Sequence, residues 1–296
     1  MGEQTFEEIA AQYRRELHLH CYRMLGSVTD ADDVMQEILL AAWRGLDAYA
    51  GRSSLRTWLY KIATNRCLNA IRDGKRRPPA EPLPPFEPPE PTRRGDVTWL
   101  QPYPDEDLDD RLVKREHVQL AFITALQRMP PRQTAALILV DVLDFQLTEV
   151  AELLDTTPTA IKGALQRARA SLNTPAALRD PAPRDTATEH AVAKRFAEAF
   201  VADDIATITT LLTDDAWLAM PPAPHEYFGP PAIAAFLRAS ASARTATLAL
   251  EPTGANLHPA FTCYFVNGET RTNTGILALT VTNDRITTIT RFLPSL

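Results

Sequence analysis

Residues 147–172 read LTEVAELLDTTPTAIKGALQRARASL. Thr148 opens a short helix whose Val150, Ala151 and Leu154 recur at helical spacing and point inward. Asp155, Thr156 and Thr157 then make a three-residue turn. Thr157 is placed to cap a second helix, with Pro158 at its first position, where a missing N–H costs nothing. Ile161, Leu165, Ala168 and Leu172 hold that helix down, which leaves Thr159, Lys162, Gln166, Arg167 and Arg169 facing outward. Two helices joined in this way form a helix-turn-helix, whose second helix can enter a major groove. A helical hairpin with a solvated cationic face has the same local pattern, so the segment needs support from elsewhere in the chain.

Charge supplies some of it. The chain has 296 residues and a net charge of −6, which is the wrong sign for a nucleic-acid binder. The sign is not uniform. Residues 56–77 carry Arg56, Lys61, Arg66, Arg72, Lys75, Arg76 and Arg77 against Asp73 alone, and residues 158–172 carry Lys162, Arg167 and Arg169 with no acid. Between them, residues 78–110 carry nine acids against Arg93 and Arg94. Two basic helices separated by an acidic tract are an electrostatic footprint that the average conceals.

Upstream, residues 5–73 read as successive helices. Val34, Ile38, Leu39, Ala42, Trp43 and Leu46 form one apolar stripe, with Asp30 as the expected N-cap. Leu55, Trp58, Leu59, Ile62, Ala63 and Ile71 form a second, beside a polar row of Lys61, Asn65, Asn69 and Arg72. The loop Gly51, Arg52, Ser53, Ser54 leads into this helix. Aromatic rings and amides beside cations suit single-stranded DNA, which needs stacking, base-edge partners and phosphate neutralisation. Trp58 also sits at core spacing.

Residues 78–104 are dominated by proline and cannot propagate a helix or supply a central strand. They are expected to be a linker, although Trp99, Leu100 and Tyr103 suggest that part of it packs on something. After a second Pro-containing break at 174–187, the chain changes to two helices, a short helix at 231–237, and four β-rich runs at 245–250, 260–266, 274–281 and 285–292. The last hundred residues are therefore an α+β domain. The three cysteines, Cys21, Cys67 and Cys263, have no ligand or disulfide spacing and are expected to be buried thiols. No cofactor or metal is expected. Met1 to Ala10 lacks the basic flank and apolar block of a signal peptide, so the cytoplasm is the expected compartment.

Two stretches carry a family resemblance. DADDVMQEILLAAWRGLDAY (30–49) and SLRTWLYKIATNRCLNAIRD (54–73) resemble region two of extracytoplasmic-function sigma factors. MPPRQTAALILVD (129–141), EVAELLD (149–155) and IKGALQRARASL (161–172) resemble their region four. The resemblance implies that Asp30, Asp32, Asp33, Gln36, Glu37, Trp43 and Arg44 bind core RNA polymerase. It implies that Arg52, Ser53, Ser54, Trp58, Lys61, Asn65 and Asn69 open the minus-ten element and hold a flipped base. Thr159, Lys162, Gln166, Arg167 and Arg169 would read the minus-thirty-five element of promoter DNA, with Arg132 on a phosphate. Gly163 and Ala164 stand where many relatives have Ser-Arg, which thins the expected base readout.

AVAKRFAEAFVADD (191–204), the Trp217 to Met220 stretch and YFGPPAIAAFL (227–237) resemble SnoaL-like domains of the cone-shaped nuclear-transport-factor-two fold. The resemblance implies a pocket for a small-molecule ligand, with Trp217, Met220, His225, Tyr227, Phe228 and Tyr264 as lining candidates. Asp214, Asp215, His225, His258 and Tyr264 are the available acid–base groups, and no pair among them has a spacing that forces convergence.

The expected architecture is thus multidomain: region two at 1–77, an acidic linker at 78–110, region four at 111–173, a tether at 174–187 and the SnoaL-like domain at 188–296. The expected function is transcription initiation with core polymerase, regulated by the C-terminal domain. The alternative is a SnoaL-like cyclase or isomerase with a helical accessory domain.

Overall fold

The computed structural model describes residues 6–49, 51, 53–74, 86–94, 100–108, 117–172, 186–221 and 223–293. Its chain divides into two compact units, one of residues 1–77 with 107–179 and the other of 78–106 with 180–296.

The first unit is helical. It comprises α1 (Phe6–Leu25), α2 (Val28–Gly45), α3 (Leu55–Arg72), α4 (Leu120–Gln127), α5 (Pro131–Leu137), α6 (Leu147–Leu153) and α7 (Pro158–Leu172). A single π turn, Ile138–Val142, extends α5. Ser27, not Asp30, caps α2: its hydroxyl accepts from the Asp30 N–H at 3.0 Å, so the helix starts earlier than the acidic residues suggested. The α2 stripe buries Val34, Ile38 and Ala42, while Trp43, placed in that stripe by spacing, is 60% exposed. The turn before α7 forms as expected, with the Ala160 N–H donating to the Thr157 hydroxyl at 3.2 Å. The α6 start is held by reciprocal bonds between Gln146 and Glu149.

The second unit is α+β. Helices α8 (Thr186–Val201), α9 (Ile205–Leu211) and α10 (Gly229–Ala243) accompany strands β1 (Arg93–Arg94), β2 (Leu212–Ala219), β3 (His225–Phe228), β4 (Thr247–Ala255), β5 (His258–Asn267), β6 (Thr270–Thr282) and β7 (Arg285–Phe292). The strand order is β1-β3-β2-β7-β6-β5-β4, with β2 and β7 parallel and the other pairs antiparallel. The four C-terminal runs read from sequence are β4 to β7. Strand β3 was not anticipated, because Pro-containing sequence surrounds His225, and β2 starts at Leu212, so Asp214 and Asp215, read as turn residues ahead of a strand, lie within it. One face of the sheet carries Phe261, Cys263, Leu277, Leu279 and Ile289, which pack in one core with Phe196 of α8 and Ile233 and Phe236 of α10.

The segment expected to be a linker is built into this unit. Arg93 and Arg94 pair with Glu226 and His225 as an edge strand, the one sheet position that proline-rich sequence tolerates. Phe86 packs against Phe236 at 5.5 Å, and the Tyr227 hydroxyl donates to the Pro89 carbonyl at 2.8 Å. At the other end of the sheet, the Tyr103 N–H donates to Asn256 Oδ1 at 2.8 Å, the Asn256 N–H donates back to the Tyr103 carbonyl at 2.9 Å, and the Leu257 N–H donates to Asp105 Oδ1 at 2.7 Å. Leu100 and Tyr103 are buried, as two apolar side chains worth about 1.5–3 kcal/mol each would require. Trp99 lies outside the described residues, as do Glu81, Asp96 and Asp109 of the acidic tract. A proline-rich, acidic composition marks a segment that makes no secondary structure of its own, but it does not exclude borrowing an edge from another domain.

Candidate nucleic-acid and polymerase interfaces

The exposed face of α7 carries Thr159, Lys162, Gln166, Arg167 and Arg169, while Ile161, Leu165, Ala168 and Leu172 are buried beneath it. Arg169 differs from its neighbours. Its guanidinium donates to both oxygens of Asp141, at 2.9 and 2.6 Å, which raises its pKa further through that bond and charge. The π turn carries Asp141. Lys162, Gln166 and Arg169 border an open groove of about 510 Å³, with Val140, Leu147 and Leu165 beneath. Arg132, assigned to a phosphate by resemblance, is exposed and donates to the Leu154 carbonyl at 3.4 Å, where it caps α6.

On α3 the same residue types have several partners. Ser54 caps the helix: its hydroxyl accepts from the Thr57 N–H at 3.0 Å. The Ser53 carbonyl accepts from the Tyr49 hydroxyl, and Arg52 lies outside the described residues. Trp58 is half-buried and tilted against Tyr49, 5.1 Å between centroids. Asn65 is half-buried and Asn69 exposed, one turn apart on one face. Lys61 Nζ donates to the Glu152 carbonyl at 3.1 Å and to Asp155 at 3.2 Å. Arg56 lies against two rings, 5.0 Å from Tyr60 and 4.6 Å from Phe145, and donates to the Leu143 carbonyl at 3.4 Å. The Thr57 hydroxyl donates to Glu149 Oε1 at 3.4 Å. The helix expected to open DNA is thus held by the turn and first helix of the helix-turn-helix. Sequence reasoning missed Arg56, Phe145 and Asp155; pairing of α3's cations with the acids of α6 was the only signal available.

Beneath this contact is a polar cluster. Glu16 Oε2 accepts from the Tyr60 hydroxyl at 3.2 Å and from Arg56 Nε at 3.5 Å. His20 is fully buried, 3.0 Å from the Thr64 hydroxyl and edge-on to Tyr60. Burial, with Arg23 and Arg56 nearby, lowers its pKa to about 3, and burial beside Glu16 raises that of Tyr60.

The α2 surface presents Asp33, Gln36, Leu40, Trp43 and Arg44 to solvent. Asp32 is exposed and 3.2 Å from His18, and Glu37 is half-buried and 3.7 Å from Arg66. Asp30 is half-buried in the first turn. An exposed tryptophan and leucine among acids is an unusual helix face, and such apolar surface marks an interaction site.

In the second unit, Met220, His225 and Tyr227 are buried and Trp217 is half-buried with its ring 4.7 Å from Phe228, which is 41% exposed. Trp217 and Phe228 alternate with the core residues Leu218 and Tyr227, so they project from the opposite face of the sheet to Met220 and Tyr227. Tyr264 alternates with Cys263 along β5 and also projects away from the core, where Arg271 covers its ring at 4.4 Å. Asp214 and Asp215 are exposed on β2, and His258 is buried. All three cysteines are free and buried. Among the described residues no helix is long and apolar enough to cross a membrane.

A helical unit with a helix-turn-helix and a second cation-bearing helix, joined to an α+β cone, defines the class: a helix-turn-helix protein with an appended SnoaL-like domain. Family models narrow it. Residues 9–77 match Sigma-70 region 2 and residues 119–172 match Sigma-70, region 4. The chain is 39% identical over 292 residues to the ECF RNA polymerase sigma factor SigG of Mycobacterium tuberculosis, covering 95% of this chain and 79% of that one. It is 30% identical over 168 residues to SigM of the same organism, covering 57% and 75%. The crystal structure of the M. tuberculosis extracytoplasmic function sigma factor SigJ superimposes with a TM-score of 0.64 at 22% identity, over 98% of this chain and 96% of that one. The chain belongs to the ECF RNA polymerase sigma factors.

Proposed function

We infer that this chain binds core RNA polymerase, directs it to promoters and helps open them, with the C-terminal unit regulating that activity. The observation that carries the reading is the pairing of two sequence-distant surfaces: the exposed row Thr159, Lys162, Gln166 and Arg167 on α7, and the acid-rimmed Trp43 face on α2. A lone helix-turn-helix repressor needs only the first.

On this reading α7 sits in the major groove of the upstream element, where Lys162 and Arg167 neutralise phosphates and Gln166 reaches a base edge. Trp43, Leu40 and Arg44 bury against polymerase, with Asp32, Asp33, Gln36 and Glu37 as the polar rim. Asn65 and Asn69 hold the opened strand beside Trp58, which first separates from Tyr49. Lys61 must leave Asp155 and Glu152 before it can meet a phosphate, so DNA opening requires α3 to part from α6. A small-molecule ligand of the C-terminal unit can influence this only if it binds one arrangement of the chain better than another.

The enzyme reading is not favoured: the acid–base candidates divide between exposed Asp214 and Asp215 and buried His225 and His258. Run-off transcription with purified core polymerase and host genomic fragments is the test. A specific transcript that depends on this chain is expected, and its absence from every fragment would overturn the reading.

A further inference from the structure

Helix α7 carries its cations on two flanks of the exposed face. Lys162, Gln166 and Arg169 fall at i, i+4 and i+7 and share one stripe, whereas Arg167 lies about 140° round the helix from Lys162. The shared stripe borders the open groove floored by Val140, Leu147 and Leu165. Asp141 follows Val140 in the π turn. There the Leu143 N–H bonds the Ile138 carbonyl at 3.0 Å, five residues back, so the register of α5 breaks where Asp141 sits.

From that position Asp141 reaches across to the stripe and takes Arg169 by two nitrogens, Nε at 2.9 Å and Nη2 at 2.6 Å. This is the same fork by which a guanidinium holds a phosphate. Both side chains are in reach of water, Arg169 at 57% and Asp141 at 29% exposure, and an ion pair so placed adds little to stability. What it does control is where the charge of Arg169 goes. Arg169 lies seven residues, about 10 Å of helix axis, beyond Lys162. A helix whose N-terminal turns enter a groove about 12 Å wide carries its later turns out to the phosphate rim. A cation of this stripe then meets the backbone, unless something already holds it.

We propose that Asp141 is a positioning residue that sets the affinity of α7 for DNA, by holding Arg169 in a two-bond pair and so withholding one phosphate contact. The proposal rests on the reading of α7 as the upstream-element helix. A phosphate contact carries no sequence information, so Asp141 lowers affinity for every duplex alike and leaves base readout by Gln166 untouched.

The test follows fluorescence anisotropy of the full chain on a labelled duplex of random sequence, which reads the phosphate contribution directly. Asp141→Asn is expected to tighten binding about three- to tenfold at about 50 mM salt, to lose about threefold of that gain by about 200 mM, and to steepen the log–log slope by about 0.9. In an Arg169→Gln background the same substitution is expected to have less than about a third of that effect, because the two residues act as one pair. Should Asp141→Asn not fold, Arg169→Lys decides: it keeps the charge, loses the fork, and is expected to steepen the slope by about half as much. A slope unchanged or lowered by Asp141→Asn means that the pair is only a brace, and overturns the proposal. An equal gain in the Arg169→Gln background means a general effect of charge, and overturns it too. Lys162→Ala on the same duplex separates the two levels of inference. If it leaves the slope unaltered, α7 does not lie on DNA and both fail; if it lowers the slope while Asp141→Asn does nothing, this proposal alone fails.

Discussion

At the scale of single residues, buried titratable groups give the sharpest expectations. His20 is held neutral by burial, with a folded pKa of about 3 against 6.5 in the unfolded chain. A depressed folded pKa contributes stability that is complete above pH 6.5 and is lost as pH falls from there toward 3. One proton taken up on unfolding changes stability by at most about 1.4 kcal/mol per pH unit. Denaturant midpoints of the wild type are therefore expected to fall between pH 6.5 and 4.5 more steeply than those of His20→Gln, and equal slopes would contradict the assignment. Gly275→Ala is a second case. The φ of +105° and the Phe292 carbonyl oppose any side chain, so a loss of about 2 kcal/mol or more is expected in chemical denaturation. Neither residue was legible in the sequence. His20 lies on an ordinary helical stripe, and the burial that depresses it comes from packing against Tyr60 and Thr64 of α3, two elements away. Gly275 read as part of a β-rich run, because the register shift beside it, where Cys263 pairs with Gly275 and Tyr264 with Asn273, depends on the partner strand.

At the scale of elements, α6 and α7 were legible almost to the residue, since the turn, Thr157 cap and Pro158 are local chemistry. What α7 presents was only partly legible. Arg169 read as one more basic residue of the row, but its bidentate bond to Asp141 depends on a π turn that no periodicity announces. Lys162→Ala and Arg167→Ala are each expected to weaken upstream-element binding and lower the log–log salt slope by about 1. Arg169→Ala is expected to change the slope by less than half as much, because Asp141 already neutralises it. Fluorescence anisotropy at several salt concentrations makes the comparison, and three equal slopes would remove the distinction. The α3–α6 contact gives a further expectation. Asp155→Ala removes the carboxylate partner of Lys61, and Phe145→Ala removes a ring from Arg56, so both are expected to increase single-strand binding by α3 at fixed protein concentration. Unchanged binding in both variants would mean that the contact does not hold α3 closed.

At the scale of the whole molecule, composition located the breaks in helix but not the ownership of the segments between them. Proline and acid made 78–110 look like a spacer, whereas residues through Glu106 belong to the C-terminal unit. Only Trp99, Leu100 and Tyr103 hinted at this, and no local rule could name Asn256 and Leu257 as partners so far along the chain. The ownership changes how a deletion is to be read. A chain cut after Asn173 retains Phe86, Leu100 and Tyr103 while losing the helix α10 that packs on Phe86 and the strands of the C-terminal unit. Such a truncation is expected to bind an apolar dye and to aggregate, so its transcription would not report on regulation. Asn256→Ala, which removes one side-chain staple and leaves the unit intact, is the cleaner probe. It is expected to leave the far-ultraviolet spectrum unchanged while increasing protease cleavage near Gln101, and unaltered cleavage would show that the staple does not fasten that segment.

The order of synthesis adds something that the finished molecule conceals. Residues 86–106 leave the ribosome before helices α4 to α7, yet the strands that receive them, β3, β4 and the turn at Asn256, are made well over a hundred residues later. At ordinary elongation rates of about 5–20 residues per second the delay is about 7–30 s. In the later part of that interval, once α7 has emerged, the helical unit can already be complete while its intervening segment has nowhere to settle. A nascent chain therefore passes through a stage equipped with the initiation surfaces and lacking the part inferred to regulate them. The C-terminal unit closes last, by capturing a strap that has been waiting since early in translation.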